Sequence, residues 1–227
     1  NQSAGSFNTF KHSFEAGTGK FLNNLLSVSA RYSIINSDGY IDRAFSKLNS
    51  YNINALFEKG NTKLRFLTFG GKEKTYQAWN GIDKATYESN PKFNYSGAIY
   101  DANWGNIIGF YDNETDNYRQ NHYHLLWEQK LGKIWNLETT FHLTHGEGYY
   151  ENYKQDAKFS KYDLPNIVEN GNTITRTDFI RKKWLDNDFY GIVSNLYGNF
   201  ERVNLNFGVA ANQYFGRHFG NVSGVKY

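Results

Sequence analysis

The chain has 227 residues, a formal net charge of +3 and a mean hydropathy of -0.71. Its 25 basic and 22 acidic residues are scattered rather than striped, which gives no case for a nucleic-acid partner; the absence of cysteine excludes disulfides, thiolate metal sites and thiol catalysis. No apolar run approaches the ~20 residues of a membrane helix, which says nothing against strands, and the 18 Tyr, 18 Phe and 5 Trp against only 2 Pro favour strands.

The chain opens Asn1-Gln2-Ser3-Ala4-Gly5, with no initiator Met, basic segment or apolar leader. The expectation is an internal piece of a longer protein or a processed form. Eight strands are predicted along it. The first covers about 10–16 and the second about 26–35, where Leu26, Val28, Ala30, Tyr32 and Ile34 alternate with polar residues. The third (48–59) and fourth (62–72) flank Gly60-Asn61, a hairpin signal. Tyr51, Ile53, Ala55 and Phe57 share one face before that turn, and Leu64, Phe66 and Thr68 share one face after it. The fifth and sixth strands cover about 118–130 and 135–146, the seventh and eighth about 186–198 and 203–214.

Keeping apolar residues on one face fixes the expected registers, since a slip of one residue would reverse the faces. Phe57 should pair with Leu64, Leu125 with Phe141, and His124 with His142. In the last hairpin, Leu196 should pair with Leu205 and Ile192 with Val209. Connections alternate in length. Those within hairpins are short, whereas 36–45, 73–117 and 149–185 are longer and polar. Such lengths are unusual in a compact domain and expected of a transmembrane β-barrel with short turns on one side and long loops on the other. Trp79, Tyr149, Tyr150, Trp184, Phe189 and Tyr190 lie near strand ends, where either an interfacial girdle or ordinary loop packing would use them.

Five segments carry a family resemblance: 71–82 (GKEKTYQAWNGI), 111–118 (YDNETDNY), 122–126 (HYHLL), 146–151 (GEGYYE) and 181–191 (RKKWLDNDFYG). In that order they resemble the barrels of TonB-dependent outer-membrane receptors of Bacteroidetes type. The resemblance implies a barrel of about 22 strands, plugged by an N-terminal domain and driven by the inner-membrane TonB complex. The expected fold is therefore all-β: an antiparallel up-and-down transmembrane β-barrel segment supplying about eight of those strands. Residues 1–227 would be one partial barrel without its plug domain or TonB-interacting segment. The implied function is energised ligand capture and uptake at the bacterial outer membrane. Its partners would be the rest of the barrel, the plug, the TonB complex, the lipid bilayer and a small-molecule or glycan cargo whose identity stays open.

Candidate ligand-binding residues are the loop aromatics Trp79, Tyr87, Tyr95, Trp104, Tyr149 and Tyr150, which can stack on a planar or sugar-like ligand. Packing and girdle roles compete for each. His122, His124 and His142 are candidate metal ligands by cross-strand proximity, set against a bland role as polar lumen residues; His145 has the wrong parity to join them. Asp112, Glu114 and Asp116 lack the glycine and distal glutamate of a calcium loop. No Gly-x-Ser-x-Gly nucleophile signature is present, so neither catalysis nor a cofactor is expected. Two other functions stay open: a soluble β-sandwich carbohydrate-binding module, which needs its apolar faces to meet in a core, and a passive porin-like channel, which needs no plug.

Overall fold

A computed structural model describes residues 1–225. The first half contributes β1 (Gln2–Gly5), β2 (Thr9–Phe21), β3 (Leu26–Ser37), β4 (Ser46–Lys59) and β5 (Thr62–Tyr76). The connection that follows holds α1 (Lys84–Ser89), β6 (Ala98–Tyr100) and β7 (Ile107–Phe110). Then come β8 (Thr115–Leu131), β9 (Trp135–Lys158), a 3-10 turn (Phe159–Tyr162), β10 (Ile167–Glu169) and β11 (Asn172–Ile174), and finally β12 (Arg176–Asn199) and β13 (Asn204–Val225).

Nine strands form one sheet in the order β1-β2-β3-β4-β5-β8-β9-β12-β13, each antiparallel to its neighbours. The fold is all-β and the up-and-down order is the expected one. Among the described residues the sheet is open, with β1 and β13 at its edges. The ninth strand is β1, four residues with no alternating pattern to betray it.

Two of the three expected registers hold: Phe57 faces Leu64, Leu125 faces Phe141, and His124 faces His142. The third is off by two residues. Leu196 faces Phe207 and Ile192 faces Ala211, because Phe200 and Val203 close a tight turn on Glu201-Arg202. A slip of two leaves every side chain on its own face, so the alternation in the sequence cannot detect it. At Gly60 the backbone takes φ +56°, as a two-residue turn with glycine in its first central position requires.

The faces differ. Val28, Ala55, Phe66, Leu125, Phe141, Ile192 and Ala211 follow one another across seven strands as direct cross-strand neighbours. This row is not covered by a second layer: Phe66 is 43% and Phe141 46% exposed. On the opposite face the nearest row reads Ser29, Asn54, Leu67, His124, His142, Gly191 and Asn212. The buried apolar side chains are instead Tyr76, Phe159 and Phe179, all at the long-loop end of the sheet.

That end extends further than the sequence pattern suggests. β9 and β12 each run 24 residues, about 80 Å at ~3.3 Å per residue. Much of the expected loop 149–185 is thus strand, and Tyr149 and Tyr150 sit within β9 rather than in a loop. Alternation fades there because neither face of the extension carries an apolar row.

Candidate functional site

The connection between β5 and β8 folds over the loop end of the sheet and is held by amide and carboxylate side chains. β8 stops at Thr115 while β9 continues past it, which leaves backbone groups of β9 without a neighbouring strand. Glu114 fills that gap: its carboxylate accepts from the Tyr153 backbone N–H at 2.8 Å and from the Asn152 amide at 2.8 Å. Gln77 donates to the carbonyls of Thr115 (3.1 Å) and Glu151 (3.0 Å), and its own oxygen accepts from Asn152 at 2.9 Å. Asn94 donates to the Asp42 and Gln77 carbonyls. The Tyr76 hydroxyl bonds the Ser96 and Tyr111 carbonyls, and Arg43 donates to the Asn94 carbonyl with its guanidinium 3.5 Å from the centre of the Phe110 ring. Gln77, Asn94, Glu114, Glu151 and Asn152 are all buried. Buried polar groups this well paired fix a loop in one conformation.

The two carboxylates of this cap are pushed in opposite directions. Burial raises the Glu114 carboxyl above its ordinary value, despite its hydrogen bonds. Burial also opposes the charge on Glu151, but hydrogen bonds from Tyr111 and Asn113 and the Lys182 ammonium outweigh it and hold that group low. The Tyr111 hydroxyl is raised by burial and by its bond to Glu151.

The six candidate aromatics do not converge. Trp79, 59% exposed, meets Tyr150 edge-on at 5.5 Å. Tyr149 packs on Trp184 at 4.3 Å on the other face of the sheet. Tyr87 projects from α1 and is 61% exposed, while Tyr95 packs edge-on against Phe93 at 4.7 Å and lies within 3.3 Å of the Thr86 hydroxyl, tying α1 down. Trp104 stands apart, stacked on Tyr100 at 5.7 Å and 53% exposed. It lines a cleft of about 650 Å³ between the β6–β7 hairpin, the far end of β9, the 3-10 turn and the start of β12. The composition of the chain drew attention to its aromatics; most of this cleft's polar wall, including Lys154, Gln155 and Arg176, carries no motif and was missed, and Arg181 stood out only as part of the segment 181–191.

His122, His124 and His142 do lie together on one face, with ring centroids 6.2 Å and 6.5 Å apart in sequence. His122 stacks on Phe69 at 4.4 Å and bonds the Thr144 hydroxyl at 2.8 Å, and His142 lies 4.9 Å from Phe189. The β8–β9 register is unbroken, which puts His145 on the opposite face. There His145, Asp186 and Asp188 bring one ligand atom each to within 4.8 Å of one another, the closest grouping of potential metal ligands among the described residues. Arg217 pairs with Asp186, and Arg119 with neighbouring Glu147 at 2.5 Å, so this grouping belongs to a ladder of ion pairs across β8, β9, β12 and β13.

No known protein family matches the chain, and no curated protein does. Among solved structures, the chain is similar in fold to BauA, the ferric preacinetobactin receptor from Acinetobacter baumannii, at 11% identity and a TM-score of 0.58. The similarity covers 95% of this chain and 30% of that receptor's.

Proposed function

We propose that the chain is part of the barrel wall of a TonB-dependent outer-membrane receptor, which captures a cargo at its loop end and takes it up with energy delivered through TonB. The observation that carries this reading is the uncovered apolar row on one face of a nine-stranded up-and-down sheet, confined to the short-turn end. Leaving a large apolar side chain in water forgoes about 1.5–3 kcal/mol. Ile53, Phe66, Tyr123, Leu125, Phe141, Leu143, Phe207 and Val209 are all exposed on this face, a total comparable with the ~5–15 kcal/mol net stability of a whole domain. Such a face needs a cover, and lipid supplies one.

The dimensions agree. Along β9 the outward residues from Trp135 to Leu143 are uncharged, and ionisable side chains first appear on that face at His145 and Glu147. That stretch matches the ~9–11 residues a tilted strand needs to cross a bilayer. Beyond it β9 continues to Lys158 as a projection into the aqueous side, where the long loops fold. The fold likeness to the ferric preacinetobactin receptor supports the same reading; Bacteroidetes membership rests on the sequence resemblance alone. A β-sandwich module would bury these residues against a second sheet, and the described residues hold no such layer.

The test uses the absence of cysteine in this chain. Leu125→Cys and Leu67→Cys, each in the full-length protein, place a fluorophore on opposite faces of adjacent strands. In proteoliposomes, a quencher carried on lipid acyl chains should quench the label at 125 and spare that at 67. Equal water access at the two positions would sink the membrane reading. Uptake that survives a proton-gradient uncoupler would instead turn the receptor into a passive channel.

A further inference from the structure

Several cations at the loop end lack an anion. Lys154, Lys158, Lys161, Arg176 and Arg181 line the 650 Å³ cleft, and a second cleft of about 430 Å³ shares Lys161, Tyr162 and Arg181 with it and adds Lys183. The two clefts therefore form one trough. Asp156 and Asp163 are the acids on its walls, and Asp156 is already committed to Arg176 at 2.9 Å. Among the described residues Lys154, Lys158, Lys161 and Lys183 make no ion pair, and the Arg181 Nε is buried without a hydrogen-bond partner. The half-buried Lys154 ammonium is disfavoured by its burial and by Arg181 and Lys183, with Glu114 only partly offsetting them. Like charges gathered in a partly dry groove raise the free energy of the empty site, and a bound anion removes that cost.

The trough also carries a platform. Trp104 takes φ +58°, a conformation rarely adopted by a bulky residue. It is held there by its N–H on the Asp101 carbonyl at 3.0 Å, while the Asp101 carboxylate gathers the Gly105 N–H and the Asn106 amide. The result is an indole backed by Tyr100 and otherwise open. Strain of this kind persists where the surroundings impose it, and it clusters at ligand sites.

We propose that this trough binds a polyanion, a ligand bearing carboxylate, sulfate or phosphate groups along its length and a ring that seats on Trp104. Apart from Arg176, which Asp156 already pairs, five cations spread over two joined clefts exceed what one small anion can neutralise, so the ligand is extended. Lys154, Arg181 and Lys183 lie on the same sheet face as His124 and His142, which under the proposed function is the lumen face. The inference rests on that function for the ligand's role as cargo, but the binding itself does not depend on it.

The experiment measures binding to the full-length protein in detergent with three probes: oligogalacturonate, neutral maltohexaose of equal length, and tripolyphosphate. Oligogalacturonate should bind at least ten times more tightly than maltohexaose, and the difference should shrink as salt rises. Lys158→Ala with Lys161→Ala, both exposed side chains, should weaken oligogalacturonate and tripolyphosphate about five-fold alike. Trp104→Ala should weaken oligogalacturonate and leave tripolyphosphate unchanged. Equal binding of acidic and neutral chains, no binding of either anion, or indifference to the lysine pair overturns the proposal. The labels at 125 and 67 are read on the same protein after reconstitution into proteoliposomes, so absence of polyanion binding with a lipid-facing label at 125 rejects the trough and keeps the receptor.

Discussion

The two ends of this sheet solve opposite problems with the same strands. At the short-turn end, side chains alternate apolar and polar, and almost nothing is buried within the chain. At the long-loop end, alternation disappears and the described residues pack around buried amides and carboxylates. Strand register runs unbroken from one end of β8 to the other, so the change is not one of backbone. It is a change of solvent. Under the proposed function one face of the short-turn end meets lipid and hydrophobicity alone sets it, whereas at the loop end both faces meet water and only specific hydrogen bonds hold the connections down. The two ends should therefore respond to different substitutions.

The largest effect is expected in the apolar band. Leu125→Arg places a charge in the middle of the row formed by Phe66, Leu125 and Phe141, and should cost about 2–4 kcal/mol near a bilayer midplane. Thr140→Arg, one residue from Phe141 but on the other face, should stay within about 0.5 kcal/mol. Refolding titrations into lipid vesicles measure both. Equal penalties would erase the distinction between the faces. The cap should lose somewhat less from Glu114→Ala, which strands the Tyr153 N–H and one N–H of the Asn152 amide in a buried site at about 1–3 kcal/mol. That loss should show as faster hydrogen exchange and proteolysis between β5 and β8, with exchange in the Leu125 band unchanged. A uniform loss across the sheet would mean that the ends are not separable.

The same division explains what the sequence disclosed. Gly60-Asn61 and the flanking alternation announced a hairpin because a half-apolar strand writes its period into the residues. His145 could be assigned to the face opposite His142 for the same reason. The shift in the last hairpin was silent because two residues restore the same parity. At the loop end, Gln77, Asn94 and Glu114 are spread along the β5–β8 connection and Asn152 lies in β9, and their bonds span up to 75 residues. Nothing about an isolated glutamine marks it as the partner of a distant carbonyl. The basic trough was hidden likewise: its lysines read one by one as solvated surface, and only the fold of the β6–β7 hairpin against β9 and β12 gathers them.

The subtlest prediction concerns pH, and it belongs to the cap alone. Glu114 has a raised carboxyl in the folded state, so its contribution to stability is fully present below its unfolded value near 4.5 and is lost as pH rises through the folded one. Glu151 is lowered, so its contribution is present above that unfolded value and is lost as pH falls through the folded one. The pair thus bounds a window of greatest cap stability around the ordinary carboxylate range, with losses of different origin on each side. Glu114→Gln should flatten the alkaline side only, even though the new amide loses one of the two bonds to β9 and lowers the overall level. Glu151→Gln should flatten the acidic side only. Hydrogen exchange at the Tyr153 amide, corrected for its intrinsic pH dependence, reads both slopes. If neither variant changes its own side, the network does not couple to protonation and the cap is held by its amides alone.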